Sequence, residues 1–421
     1  MIWPLFHYFP SYAEYEENFY SAYKTVNQQF ADAVKSVANE NDLVWIHDYH
    51  LMLLPGYLKT GKKQISSSFF LHIPFPSYEL IKFIPEDWRN EILGSLLSCD
   101  VIGFQTSEYS SHFKRSLSYL MGIECVNNSV TQNGHTALIR DYPISIDFEK
   151  FNSAWDLPLV IEGREAIRHK HEGLKIIFSL DRLDYSKGVL NRLQAYEQLL
   201  SEEKSLHGKI VFVINVIPSR EKVARYAERK KLIEENISRI NGLYSNIAWQ
   251  PIIYHYQHLS FDELLACYTA CDVALVTPLR DGMNLVAKEF VASRQDERGC
   301  LILSEFAGAV QELQGAIVVN PNDIHKMKEA MVEAIQLDES EQAKRMRIMQ
   351  ATIRRNDVKK WSSTFLEDAK QAKKMEKASV ANFMSFDDKI GILDAYRSAR
   401  KRLILLDYDG TLIPFFDKPQ E

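Results

Sequence analysis

Asp281, Asn284 and Glu289 stand at spacings that suit a phosphorylated sugar, in the run Val276-Thr-Pro-Leu-Arg-Asp-Gly-Met-Asn-Leu-Val-Ala-Lys-Glu-Phe290. The run reads as a strand end, a tight turn at Asp281-Gly282 and a helix opening at Asn284. An Asn side chain caps a helix by accepting an orphan N–H of the first turn. The free N–H groups of Leu285 and Val286 then point out of the helix mouth, where a phosphate is favoured. Glu289 follows about a turn and a half later, within reach of vicinal hydroxyls. With the acid Asp281, this is the chemistry of a nucleotide-sugar site. An ordinary strand–turn–helix with a conventional cap accounts for the run equally well.

Two basic loops add to the phosphate reading. Arg182 and Lys187 lie in Asp181-Arg-Leu-Asp-Tyr-Ser-Lys-Gly188, after a strand and before a helix. There a guanidinium and an ammonium can neutralise charge that grows on a departing diphosphate. The loop is not a GxxxxGK[ST] phosphate loop, and alone it reads as a solvated charged turn. Arg220 follows another strand in Ile217-Pro-Ser-Arg220 and alone reads as a helix-surface residue. His47, Asp48 and His50 lack a further clustered carboxylate or cysteine, so packing histidines are favoured over a metal site. His72, in Phe69-Phe-Leu-His-Ile-Pro-Phe-Pro76, alone reads as a satisfied core histidine.

These loops need a scaffold, and the chain predicts one. Helical periodicity covers about Tyr15 to Asn39, Ser107 to Met121, Val189 to Glu203 and Arg220 to Ser238. Between the helices lie strand-like runs at Leu43–Ile46, Ser67–His72, Val101–Phe104, Leu174–Leu180, Ile210–Val216, Ile247–Ile253, Val273–Thr277, Cys300–Ser304 and Ala316–Asn320. Such βα alternation implies an α/β fold with parallel sheets covered on both faces. Ligands collect at the carboxyl ends of such strands, where every polar cluster above falls. The charged stretch from Glu162 to Glu172 reads as an interdomain connection, and 421 residues suit two domains. A net charge of −6 argues against nucleic-acid and anionic-membrane partners. The five cysteines (Cys99, Cys125, Cys267, Cys271, Cys300) form no CxxC pair, which points to a reduced, cytoplasmic compartment.

Trp3-Pro-Leu-Phe-His-Tyr8, Trp45-Ile-His-Asp-Tyr-His-Leu51, Phe69–Pro76, Asp181–Gly188 and Arg280–Glu289 together resemble the trehalose-6-phosphate synthase family, collinearly from Trp3 to about Lys370. The resemblance implies a GT-B fold, two Rossmann-like domains facing a cleft. It divides the chain into an acceptor-side domain over 1–150, a nucleotide-sugar domain over 151–350 and a crossing-back helical segment over 351–377. The implied reaction moves glucose from UDP-glucose to glucose 6-phosphate with retention, giving α,α-trehalose 6-phosphate and UDP, without a metal or other cofactor. Arg182 and Lys187 are implied to bind the donor diphosphate, with N–H donors from Leu285 and Val286 and the ribose on Glu289. Asp281, Gly282, Met283 and Asn284 are implied to line the transferred glucose, with His72 against it. Trp3, Asp48 and Arg220 are implied on the acceptor side, Arg220 answering its phosphate. Catalysis by Asp48, Arg182 and Lys187 is implied to be positional and electrostatic, with no protein nucleophile.

The resemblance also implies an opening strand, an arginine-bearing loop and a glycine-rich segment upstream of Trp3. None of these precedes Met1, so the first domain is expected to be incomplete, with fewer ligands for the acceptor phosphate. Ser145 replaces a glycine usual in the family, which puts the local turn in question. After a connector over 378–400, Leu403-Ile-Leu-Leu-Asp-Tyr-Asp-Gly-Thr-Leu412 resembles the first motif of haloacid-dehalogenase-type phosphatases. There Asp407 is implied as nucleophile and Asp409 as acid/base, with Mg²⁺ only where the remaining motifs of a complete domain are present. The region 401–421 is expected to be the start of a fused trehalose-6-phosphate phosphatase domain. A non-catalytic donor-binding or regulatory relative, an inactive fragment of a bifunctional synthase/phosphatase, and another retaining GT-B transferase are the competing readings, and a homo-oligomer stays open.

Overall fold

Short runs of Val, Ile, Leu and Phe, each stopped by a polar loop, build two sheets. The computed structural model describes residues 1–39, 42–60, 65–132, 134–220, 223–380 and 386–403. Two compact units divide the chain, Met1–Lys373 and Lys374–Glu421, and both sheets belong to the first. The second contributes the helix Phe386–Ser398 to the described residues. Asp407 and Asp409 lie outside the described residues.

The first sheet contains β1 (Leu43–His47), β2 (Ser66–Phe70), β3 (Val101–Phe104), β4 (Ser129–Gln132) and β5 (His135–Asp141), in the order β1-β2-β3-β5-β4. All of its pairs are parallel except β4 with β5. The second contains β6 (Lys175–Arg182), β7 (Ile210–Ile217), β8 (Ile252–Tyr256), β9 (Val273–Val276), β10 (Cys300–Ser304) and β11 (Ile317–Val319). Its order is β11-β10-β9-β6-β7-β8, parallel throughout. Along β6, Ile177 enters one apolar cluster while Ile176 and Phe178 enter the other. That two-residue alternation requires cover on both faces of the sheet. The α/β, Rossmann-like expectation holds.

The helix Val358–Val380 crosses from the second sheet's side to the first. Its first N–H, on Val358, bonds to the Ile146 carbonyl at 3.0 Å. Further along, Phe365 stacks on Trp45 with centroids 4.5 Å apart, and Asp368 accepts from the Tyr142 hydroxyl at 2.7 Å. Gly103 allows this approach, because a Cβ there would lie 2.8 Å from the Phe365 ring.

Four local expectations need correction, and one pair of strands goes beyond them. The run Ile247–Ile253 is not all strand: Asn246 and Trp249 close a turn, Pro251 cannot donate to a ladder, and β8 starts at Ile252. Strand β2 ends at Phe70, two residues short of His72. The helix assigned from Arg220 is Ala224–Tyr244, since Arg220 has φ +49°, outside any right-handed helix. The antiparallel β4–β5 hairpin was not foreseen, because Ser-Val-Thr-Gln offers no apolar run. Glu162–Glu172, read as a connection, falls largely in the helix Pro158–Lys170, whose Val160 and Ile167 pack into the second sheet's cover. Ser145 has no left-handed backbone angle, so the turn in question does not require glycine there, although the buried Ser145 hydroxyl finds no hydrogen-bond partner among the described residues.

Candidate active site

The site begins where β9 ends. Asn284 takes a left-handed φ of +83° and caps the helix Leu285–Ser293, its Oδ1 accepting from the Ala287 N–H at 3.1 Å. Its Nδ2 donates to Asp281 Oδ2 at 3.1 Å, so one side chain fixes both the helix start and the acid before it. Leu285 and Val286 are the first two helical residues, whose N–H groups find no partner within a helix. Glu289 lies further along the helix and accepts from the Tyr268 hydroxyl at 3.0 Å. Burial raises its carboxyl above the ordinary value, with Tyr268 and Lys150 opposing that. Met283 is buried in the core, and its carbonyl accepts from the Ala309 N–H at 2.7 Å.

Lys187 meets Asp281 at 2.6 Å, the pair only 11% and 17% exposed. Burial disfavours both charges, yet the pairing outweighs it: Asp281 stays below its ordinary value and Lys187 above. The two directions agree, so the pair is charged on both sides at neutral pH. The turn carrying Lys187 is fixed locally. Asp184 Oδ1 accepts from the Ser186 N–H at 2.9 Å, and Gly188 takes φ +69°, where a Cβ would lie 2.6 Å from the Thr277 carbonyl oxygen. Asp181 serves as a brace, since it pairs with the fully buried Arg192, which also donates to the Lys187 carbonyl. Arg182 ends β6 exposed, with no hydrogen bond or ion pair among the described residues.

From the first sheet, the loop after β2 brings His72 to this cluster. A Cβ on Gly282 would lie 2.1 Å from the His72 carbonyl oxygen, so only glycine lets the two loops touch. Across the same junction the Tyr109 hydroxyl donates to the Asp281 carbonyl at 3.2 Å. Asp48, itself at φ +69°, accepts from the His72 backbone N–H at 3.3 Å. His47 Nδ1 and His72 Nε2 are 3.0 Å apart, and burial lowers both imidazoles below the ordinary value.

Trp3 and Arg220 stack, the guanidinium carbon 4.4 Å from the ring centroid. Arg220 also donates to the hydroxyls of Tyr226 at 2.9 Å and Tyr49 at 3.3 Å. Tyr226 passes the bond on to Asp184 at 2.7 Å, linking this wall to the Lys187 turn. His7 is buried beneath Trp3 and hydrogen-bonds its carbonyl through Nδ1 at 2.8 Å. Burial foremost, with the nearby Lys187, lowers its imidazole to about 4, so it is neutral.

Lys187, Asp281, Gly282, Asn284, His72 and Asp48 therefore meet in one place, with Trp3 and Arg220 joined to them through Asp184 and His7. His7, Tyr49, Tyr109 and Tyr226 were not singled out from the sequence. His7 and Tyr49 stand inside motifs quoted above, which was the available signal, whereas nothing local marks Tyr109 or Tyr226. None of the predicted site residues lines the separate hollow of about 610 Å³ along β6–β8. Among the described residues no three His, Cys, Asp or Glu groups converge as a metal would need, and no helix is long and apolar enough to cross a membrane.

Known proteins resemble the chain over most of its length. The model of glycosyltransferase family 20 matches residues 1–371. A bifunctional trehalose-6-phosphate synthase/phosphatase from Thermoproteus tenax is 44% identical over 421 residues, covering 99% of this chain; the chain spans 57% of that relative's length. The crystal structure of a UDP-forming α,α-trehalose-phosphate synthase from Burkholderia xenovorans with glucose-6-phosphate superposes with a TM-score of 0.84 at 33% identity, covering 88% of this chain and 82% of that one. An E. coli structure described as bound with UDP-2-fluoro glucose gives a TM-score of 0.84 at 35% identity, with the same coverage of 88% and 82%.

Proposed function

The chain belongs to glycosyltransferase family 20, and from that premise we propose that it transfers glucose from UDP-glucose to glucose 6-phosphate with retention. The products are α,α-trehalose 6-phosphate and UDP. The observation that carries the reading is the Lys187–Asp281–Asn284 cluster at a helix mouth, closed from the other sheet by His72. Arg182 and Lys187 answer the charge that develops on the leaving diphosphate, and the N–H groups of Leu285 and Val286 add donors without reorganisation. The proposed reaction needs no metal, because these groups supply the positive charge. Glu289, with one oxygen on Tyr268, has a second to accept from a ribose hydroxyl. On the other side Arg220 offers a guanidinium to the acceptor phosphate, with Trp3 as the wall.

Asp281 is a poor nucleophile here, being tied to an ammonium and an amide. A front-face displacement, in which the leaving phosphate helps to deprotonate the acceptor hydroxyl, then leaves the protein to position and stabilise. The free thiols suit a cytoplasmic reaction. The test is UDP release from UDP-glucose with and without glucose 6-phosphate. Release that depends on glucose 6-phosphate supports the transferase. Tight UDP binding with no acceptor-dependent release would point instead to a donor-binding protein.

A further inference from the structure

His72 is held at nearly every polar atom but one. Its backbone N–H donates to Asp48, its carbonyl accepts from Gln105 Nε2 at 3.5 Å, and its Nε2 faces His47 Nδ1 at 3.0 Å. Phe70 packs edge-on against the ring, with centroids 4.8 Å apart, and also packs on His47 at 6.5 Å. The atom without a partner among the described residues is Nδ1. It belongs to the residue whose carbonyl touches Gly282, beside Asp281 and Asn284.

Two neutral imidazoles that face each other nitrogen to nitrogen share one proton at the junction. If His47 donates, His72 Nε2 is the acceptor and its Nδ1 carries the other hydrogen. If His72 donates, its Nδ1 is a bare lone pair. The tautomer of His72, and so the sense of the hydrogen bond that Nδ1 offers a sugar hydroxyl, is set by His47. We propose that His47 is a positioning residue for the transfer, fixing the ring orientation and tautomer of His72 at the reacting sugar. His47 needs no contact with substrate to do this. The lowered basicity of both rings fits the role, since it keeps the pair neutral at pH 7. The charged and titratable groups facing the pair are Asp48 on the same loop, which favours protonation, and His50 beyond it at 4.0 Å from Asp48. On the helix Val358–Val380 the uncharged Trp361 lies with its ring 6.4 Å from that of His72.

The inference rests on the transferase reading, and its test separates the two. His47→Phe keeps a ring but removes the nitrogen, whereas His47→Asn places an amide where Nδ1 was. His47→Phe is expected to lower kcat roughly tenfold, the effect of one misdirected hydrogen bond. The KM for glucose 6-phosphate should move less than about twofold, and His47→Asn should recover most of the rate. Losing its neighbouring imidazole, His72 should titrate at higher pH in His47→Phe, so the acid limb of the kcat profile moves up. In the unliganded 421-residue chain, ¹⁵N chemical shifts of the His72 ring should show one dominant tautomer in the wild type and a mixture in His47→Phe. An unaltered tautomer with kcat within twofold of wild type would overturn the role. Equal losses of kcat and thermal stability in both variants would also overturn it, leaving His47 a packing residue. Absence of turnover in the wild type would count against the transferase reading alone, and the ¹⁵N result would still decide the His47 claim.

Discussion

Lys187 and Asp281 stabilise each other only where both are charged. The depressed Asp281 contributes stability above the ordinary carboxylate value of 3.8 and loses it as pH falls through its lower folded value. The raised Lys187 contributes fully below its ordinary 10.5 and loses that as pH rises through its folded value. Asp281→Asn should therefore remove part of the stability loss below about pH 4, read from urea unfolding at pH 7 and pH 3. Arg182→Ala should weaken UDP by about 1.5–3 kcal/mol, as for a lost charge-assisted hydrogen bond. Lys187→Ala should do the same, but it also strands a buried carboxylate, so it is best measured together with Asp281→Asn. Calorimetric UDP affinities unchanged in both single variants would remove the diphosphate assignment.

The loops around β9 and β6 work because glycine and asparagine take backbone angles that other residues resist. Gly188→Ala would force a Cβ towards the Thr277 carbonyl oxygen at φ +69°, and should cost about 1–3 kcal/mol in unfolding free energy. Gly282→Ala has a different consequence. Its Cβ would push against the His72 carbonyl, which separates the two loops, so kcat should fall more than the melting temperature does. A variant with lower Tm but intact kcat would contradict that. These devices explain what the sequence revealed. Asn284 was readable as a cap because capping depends on a side chain and backbone three residues apart. The start of the helix after Arg220 was not, since its left-handed φ accompanies stacking on Trp3, far away in sequence. Strand β8 was misplaced because Ile247 and Trp249 look apolar in a row, while the fold turns Ile247 outward and Trp249 inward to the Ile210 carbonyl. The polar β4 gave no signal of its own.

Across the Met1–Lys373 unit, the two sheets are joined by the Gly282–His72 junction and by the helix Val358–Val380. Phe365 is fully buried among Trp45, Phe70 and Tyr142, contributed by strands and loops of the first sheet. Phe365→Ala should cost roughly 3–5 kcal/mol and lower Tm, since it empties a ring-sized space in that cluster. Pairings of this range lie beyond periodicity: Phe365 and Trp45 stand far apart in the sequence, and only folding brings them together. The motifs were legible as separate loops, and the structure supplies their convergence. The central claim is that this convergence moves glucose with retention onto glucose 6-phosphate. It is tested most directly by supplying the chain with UDP-glucose carrying ¹³C at the anomeric carbon, together with glucose 6-phosphate, and following the reaction by NMR. The account predicts one labelled α-anomeric signal of α,α-trehalose 6-phosphate, growing in step with UDP. A β-linked product, free labelled glucose, or no conversion with UDP bound would contradict it.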